Sequence, residues 1–439
     1  MKTVMSVLLA TSLSAASVCC AAPGDRAPAS TAAGTAQHTS APRSPARCET
    51  GIFRKNTATF VAMTKADKGF NYTFSDGIVG NTLDAKALLA CAPGAVIVAA
   101  GESWPRVALT ESNTRFASNG VVLAGRLIEA PHAGKRTPLV VYAHGSEDGG
   151  WIDRAPDPYQ MVGRGVSVFV YDKRGTGMSE GEYTQNFPLL ADDLVAASRE
   201  ARRLAAGRHG RFGLVGLSQG GWIVPLAAAR AKAGFLGIGY GLAVDIAEED
   251  EAQVALELRE RGYGDDVLAK ARSVTDITSR IVKSAYKDGI DDLAAVQHHY
   301  GKEAWFSVIK GAYSGVLLNM SVDDLRKNGI PRFDKWRVDW SQNPMQALQK
   351  VDVPQLWAFA SEDRQAPIAL TIERLAQLRK QGKDVSIHVF PEAEHGMWNY
   401  EQAADFSRKR TRIAPGFHDL MADWAKGERD GKYGAAIRR

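Results

Sequence analysis

Cysteine is scarce in this 439-residue chain: there are four, and two of them, Cys19 and Cys20, fall in the leading apolar segment. Neither Cys48 nor Cys91 belongs to a CxxC pair or sits near a histidine cluster, so no metal-binding pattern is present. Net charge is low, +5 at pH 7, and Lys and Arg are scattered along the chain, which argues against a nucleic-acid partner. No uninterrupted apolar run reaches the roughly 18 residues that span a bilayer. A phosphate loop, a dinucleotide fingerprint and a paired-histidine motif are all missing, so any chemistry here is expected to need no cofactor and no metal. What remains, 45% hydrophobic and 23% charged, is the composition of an ordinary globular protein larger than one minimal domain.

The N-terminus has one positive charge in Met1-Lys2-Thr3, then small apolar residues without charge from Val4 to Val18, then Cys20-Ala21-Ala22. Residues 1–22 are read as a cleaved export signal, which puts the protein in the periplasm or outside the cell. Lipid anchoring through Cys19 or Cys20 is disfavoured by Val18. In an oxidising compartment Cys48 and Cys91 are candidates for one disulfide, and closing that loop would stabilise the fold by about 4 kcal/mol. Residues 23–47, almost wholly Ala, Pro, Ser, Thr, Gly and Arg, are expected to be a disordered linker. Residues 48–112 alternate short β-rich pieces with Gly, Asn and Asp turns and are read as a β-rich N-terminal module.

From Thr114 the pattern changes. Residues 114–127 form a hairpin pattern turning at Asn119-Gly120, and apolar strand runs then alternate with helical spacing. Strands are expected over 138–143, 166–171, 212–217, 235–240, 354–360 and 385–390, and helices over 189–204, after Ser218, and over 368–383 and 417–426. Such alternation predicts a mostly parallel, doubly wound α/β sheet. It is interrupted over 245–349, where 248–262 and 265–286 have helical spacing and Trp305, Phe306, Tyr313, Phe333, Trp336 and Trp340 crowd together. This insertion is expected to be a helical cap with a small aromatic core of its own. The α/β core is then 113–244 and 350–428, and 429–439 is a basic C-terminal tail.

One string carries chemistry. Gly216-Leu217-Ser218-Gln219-Gly220 lies where a predicted strand hands over to a helix, the context that makes a GxSxG a nucleophile elbow. Downstream, Glu362-Asp363-Arg364 follows one predicted strand and Glu394-His395-Gly396 follows the next, so an acid and a histidine come after the serine, each just past a strand end.

That order on that topology resembles the α/β-hydrolase superfamily, in its exported esterase and serine aminopeptidase-like branch. Four stretches carry the resemblance: His144-Gly145-Ser146, Asp172-Lys173-Arg174-Gly175-Thr176-Gly177-Met178-Ser179, Gly216 to Gly220, and Glu362-Asp363-Arg364 with Pro367. The resemblance implies an α/β-hydrolase fold with Ser218 as nucleophile, His395 as general base and then acid, and Asp363 orienting His395. It places the oxyanion hole at the backbone N–H groups of Gln219 and Ser146. Glu362 competes with Asp363, and the spacing to Arg364 and Pro367 favours Asp363. Asp172 and Arg174 are expected to bind loops together. Glu147 and Asp148 are read as solvated charges, with recognition of a substrate ammonium group as the alternative. The implied activity is hydrolysis of a small-molecule carboxylic ester through an acyl-enzyme, and the aromatic cap points to a lipophilic substrate. A serine peptidase or an acyltransferase on the same fold is the alternative, and a non-catalytic binding protein is disfavoured because all three triad positions are filled. Nothing in the composition assigns an oligomeric state.

Overall fold

Short runs of β-branched and aromatic residues broken by tight turns favour antiparallel sheets, and the N-terminal part of the chain folds accordingly. The computed structural model describes residues 48–333 and 337–439; the expected export signal (1–22), the linker (23–47) and Trp336 lie outside them. Strands β1 (Gly51–Arg54), β2 (Phe60–Lys65), β3 (Phe70–Phe74) and β4 (Val79–Asn81) form a four-stranded sheet, and β5 (Leu89–Ala92), β6 (Ala95–Val98) and β7 (Glu102–Pro105) a three-stranded one. Val61, Met63, Tyr72, Val96 and Trp104 pack in a small core between them. A disulfide joins Cys48 to Cys91 of β5, with Cα atoms 5.2 Å apart.

The long hairpin follows: β8 (Thr110–Ser118) and β9 (Val121–Glu129) meet at Asn119-Gly120, both at positive φ (42° and 79°), the turn geometry that matches strand twist. The fully buried strands β10 (Leu139–Ala143), β11 (Ser167–Tyr171), β12 (Phe212–Leu217), β13 (Leu236–Gly239), β14 (Gln355–Ala360) and β15 (Val385–Phe390) are mutually parallel. Three further strands, β16 (Ala393–Glu394), β17 (Trp398–Gln402) and β18 (Arg408–Ile413), form a separate antiparallel ribbon. The final strand, β19 (Ile437–Arg438), completes a nine-stranded sheet in the order β19-β15-β14-β13-β12-β10-β11-β9-β8. Strand order reverses at β10, so the C-terminal ends of β10 and β12 flank the crevice where such sheets place their sites.

Helices cover both faces. Helix α1 (Asp157–Gly163) docks the N-terminal module: Gln160 Nε2 donates to the Thr73 carbonyl at 2.7 Å, and Arg164, just beyond it, to the Ser75 carbonyl at 2.7 Å. Helix α2 (Phe187–Leu204) buries the stripe Leu190, Leu194, Ala197 and Ala201, and the Asn186 side chain caps its N-terminus. With α3 (Gly220–Ala227) it covers one face of the sheet. The insertion holds α4 (Ile246–Glu260), α5 (Asp265–Lys283), α6 (Ile290–Tyr300), α7 (Ser314–Leu318), α8 (Val322–Phe333) and α9 (Pro344–Gln349). Beyond it, α10 (Ala369–Lys380) packs on β14 and β15, and α11 (Phe417–Lys426) covers the opposite face beside α1.

Two expectations need correction. Among the described residues the cap aromatics do not form a core of their own: Trp305 and Tyr313 belong to one apolar cluster continuous with α2 and α3, to which Val254 and Leu258 of α4 also belong. Strands continue past β15, the last one expected, since the chain makes the β16–β18 ribbon before its closing helix. Within the basic C-terminal tail, Ile437 and Arg438 pair with Val389 and His388.

Candidate functional site

β12 ends at Leu217 and α3 begins at Gly220, which leaves Ser218 and Gln219 to turn the chain from sheet to helix. The turn holds Ser218 at φ 53°, a left-handed conformation costing a non-glycine residue on the order of 1–3 kcal/mol. Ser218 N donates to the Gly239 carbonyl at 3.0 Å and Gly221 N to the Ser218 carbonyl at 2.8 Å, which together maintain it. The flanking glycines are required by space: a Cβ on Gly216 would collide with the Gly220 carbonyl, and one on Gly220 with the Ala143 carbonyl. Gln219 begins the turn into α3 with its side chain buried.

Two other strand ends supply the partners. Asp363, just past β14 and 2% exposed, accepts the backbone N–H groups of Gln365 (2.9 Å) and Ala366 (2.8 Å) at Oδ1. His395, between β16 and β17, has Nδ1 2.9 Å from Asp363 Oδ2 and 3.2 Å from Oδ1, and Nε2 2.9 Å from Ser218 Oγ. A carboxylate at Nδ1 assigns the ring proton to that nitrogen, so Nε2 presents its lone pair to the Ser218 hydroxyl. Tyr240 packs edge-on against the His395 ring, with centroids 5.0 Å apart. Glu362, the competing acid, is exposed and accepts the Ser361 hydroxyl instead.

The loop after β10 passes over Ser218, since a Cβ on Gly145 would stand 3.3 Å from Ser218 Cβ. Buried Lys173 donates from Nζ to the Gly145 carbonyl at 2.6 Å, and the Tyr183 hydroxyl donates to the Ser146 carbonyl. In a trans peptide the N–H points opposite its C=O, so fixing the Gly145 carbonyl also fixes the direction of the Ser146 N–H. Burial pulls the Lys173 ammonium down to about 8, against the opposing pull of Glu147 and Asp148. Asp172 accepts the N–H groups of Trp151 (2.7 Å), Ile152 (3.0 Å) and Met178 (2.9 Å), and Arg174 pairs with buried Asp193 at 2.6 Å. These two tie the loops together.

Glu147 stays in contact with solvent, its side chain 40% exposed, but it is also anchored. Its Oε1 accepts His144 Nδ1–H at 2.8 Å and the Trp151 indole N–H, and His144 stacks on Trp151 with centroids 4.8 Å apart. Burial alone would lift the Glu147 carboxyl, but His144 and then Lys173 more than reverse this and hold it at about 2. Burial, and then Lys173, lower the His144 pKa, while Glu147 pulls it the other way. Asp148 is exposed.

A second unforeseen group joins the cap to the site. Glu260 at the end of α4 lies 2.6 Å from Arg364 and 3.1 Å from Arg408 of β18, while Arg408 also donates to the Glu362 carbonyl at 2.6 Å and stands 3.7 Å from Glu394. Arg364 and Glu394 are the immediate neighbours of Asp363 and His395. Among the described residues no group of three or more His, Cys, Asp or Glu is placed to hold a metal ion, and no helix is long and apolar enough to cross a membrane.

The sequence profile of the alpha/beta hydrolase family matches residues 140–409. Among solved structures, an esterase of Pyrococcus furiosus is similar at 14% identity over 65% of this chain and 84% of its own, with a TM-score of 0.41. An acylaminoacyl peptidase of Pyrococcus horikoshii is similar at 15% identity over 77% of this chain and 50% of its own, with a TM-score of 0.41. An alpha/beta hydrolase of a Penicillium species is similar at 18% identity over 66% of this chain and 92% of its own, with a TM-score of 0.39. No curated protein sequence matches the chain.

Proposed function

Because the chain belongs to the alpha/beta hydrolase family, we propose that it is an exported serine hydrolase that cleaves carboxylic esters through Ser218, His395 and Asp363. The observation that carries the reading is the 2.9 Å approach of His395 Nε2 to the hydroxyl of a serine held at φ 53°. In this reading Ser218 Oγ attacks the ester carbonyl as its proton passes to His395 Nε2, and the imidazolium is stabilised across Nδ1 by Asp363. The tetrahedral oxyanion takes hydrogen bonds from the Gln219 and Ser146 N–H groups. Its collapse expels the alkoxide, which leaves as the alcohol with the proton from His395, and the acyl group stays on Oγ. Water, deprotonated by His395, then attacks the acyl-enzyme, and a second collapse returns the proton to Ser218 and releases the carboxylic acid.

An ester is the least demanding substrate for this sequence of steps, because an alkoxide is a far better leaving group than an amine. Export is supported by the leading sequence and by the Cys48–Cys91 disulfide, which suits an oxidising compartment. The test is Ser218→Ala: turnover of short p-nitrophenyl esters and labelling by a fluorophosphonate should both vanish while the variant stays folded. Residual activity near that of the parent chain would refute the assignment.

A further inference from the structure

His395 sits in a turn that its own strands hold only weakly. Strand β16 before it has two residues, and Gly396 and Met397 after it both take positive φ (79° and 62°). A left-handed methionine costs on the order of 1–3 kcal/mol and persists only where its surroundings fix it. Here the Met397 side chain is fully buried, and its carbonyl accepts the Ala414 N–H at 2.7 Å. Ile413, the last residue of β18, stands opposite Trp398. The place of His395 therefore follows the place of the end of β18.

The far side of that strand end meets the N-terminal module. The turn between β3 and β4 lies along it: Ile413 N donates to the Gly77 carbonyl at 2.9 Å, Ile78 forms an antiparallel bridge with Arg412, and the Arg412 guanidinium donates to the Asp76 carbonyl. So close an approach requires glycine, because Gly77 has φ 96° and a Cβ there would collide with the Ile413 carbonyl oxygen. The turn is also braced from behind. Gln160 and Arg164 hold the Thr73 and Ser75 carbonyls just before it, at 2.7 Å each.

Resting on the hydrolase reading above, we propose that the N-terminal module is a brace for the general base and that Gly77 is a positioning residue. Through Ile413 and Ala414, the 76–78 turn sets where the His395 ring meets Ser218 and Asp363. The chemistry is sensitive to such a shift, since a misplacement of about 1 Å costs on the order of 100-fold in rate. The module gives the triad no side chain, yet it fixes the geometry of one.

The test is Gly77→Ala in the full chain, with folding checked by circular dichroism. The added methyl forces the turn and β18 apart, and kcat on short p-nitrophenyl esters should fall by about 10- to 100-fold with KM little altered. Action through His395 is read from a double-mutant cycle: in the His395→Ala background, where only residual turnover is left, Gly77→Ala should bring no further loss. Arg412→Ala frees the Asp76 carbonyl without adding bulk and should give a smaller loss of the same kind, partly regained in Arg412→Lys; this pair decides the matter if Gly77→Ala does not fold. Parental kcat in folded Gly77→Ala would overturn the proposal, as would a loss that multiplies in full with that of His395→Ala. Turnover near the parent's in His395→Ala itself would instead overturn the hydrolase reading.

Discussion

Arg408 of the β18 strand stands 3.1 Å from Glu260 at the end of the first cap helix, and the two side chains are 4% and 18% exposed. The same guanidinium holds the Glu362 carbonyl, next to Asp363, so one side chain links the cap, the acid loop and the ribbon that follows His395. Arg408→Gln takes one partner from Glu260, which keeps Arg364, and one from Glu394, which keeps Arg410, and should destabilise the fold by about 2 kcal/mol, read as a lower urea midpoint. Arg408→Lys restores the charge but not the planar fork, and should recover only part of the loss. An unchanged midpoint in Arg408→Gln would show the link to be idle.

Asp363→Asn should lower kcat on p-nitrophenyl esters by a factor on the order of 10⁴ with little change in stability. The reason lies in the two backbone N–H groups on Oδ1. They will retain the amide oxygen of an asparagine, which turns its NH₂ toward His395 Nδ1. The ring must then carry its proton on Nε2 and cannot accept one from Ser218. If kcat falls by tenfold or less, Asp363 is not what sets the tautomer.

Lys173→Met removes the donor to the Gly145 carbonyl while nearly preserving the volume of the stem. With that peptide free to tilt, the Ser146 N–H loses its aim, and kcat should fall by up to about 100-fold with KM little altered, somewhat less than the loss of an oxyanion donor outright. A rise in KM at constant kcat would assign Lys173 to substrate binding instead.

Much of this site is legible in the amino-acid sequence, and the reasons are local. The elbow announces itself because a strand, a left-handed serine and a helix can be joined in so few residues only with glycine at 216 and 220. Asp363 and His395 stand out by position, since each closes an apolar strand run that is easy to see. The loop proposed to hold the oxyanion is harder to read: its donors would be backbone groups, which no residue type marks, and the residue that fixes the Gly145 carbonyl, Lys173, lies between the more conspicuous Asp172 and Arg174. The ribbon escapes sequence reasoning because Trp398–Gln402 and Arg408–Ile413 are polar strands without apolar alternation, stabilised by arginine pairs such as Arg410 with Glu394 at 2.8 Å. Glu147 reads as a loop charge because its partners, His144 and Trp151, meet it only through the fold of the loop.

The cap contains a titration of its own. Asp250, fully buried on α4, accepts the Tyr313 and Ser314 N–H groups at 2.9 and 3.0 Å and the Ser314 hydroxyl, yet burial outweighs these bonds and raises its pKa to about 6. In the unfolded chain an aspartate titrates near 3.9. Between those values the folded state holds a proton that the unfolded state has released, so stability rises as pH falls from about 6 to about 4, and the cost of the buried charge is fully present above 6. Asp250→Asn has no such proton. The urea-unfolding free energy of the parent chain relative to this variant should therefore increase over that window and be flat above it; a difference independent of pH would contradict the assignment.

The pairing of Ile437 and Arg438 with Val389 and His388 has a consequence for solubility. Without it β15, buried along its whole length, would end the sheet as an open apolar edge whose unpaired N–H and C=O groups could recruit another molecule strand to strand. The short, arginine-bearing final strand occupies that edge and offers little for a neighbour to extend. Ile437 and Arg438 thus work as a seam guard, and deleting them should promote edge-to-edge association, read as a larger hydrodynamic size, before it alters turnover of p-nitrophenyl esters.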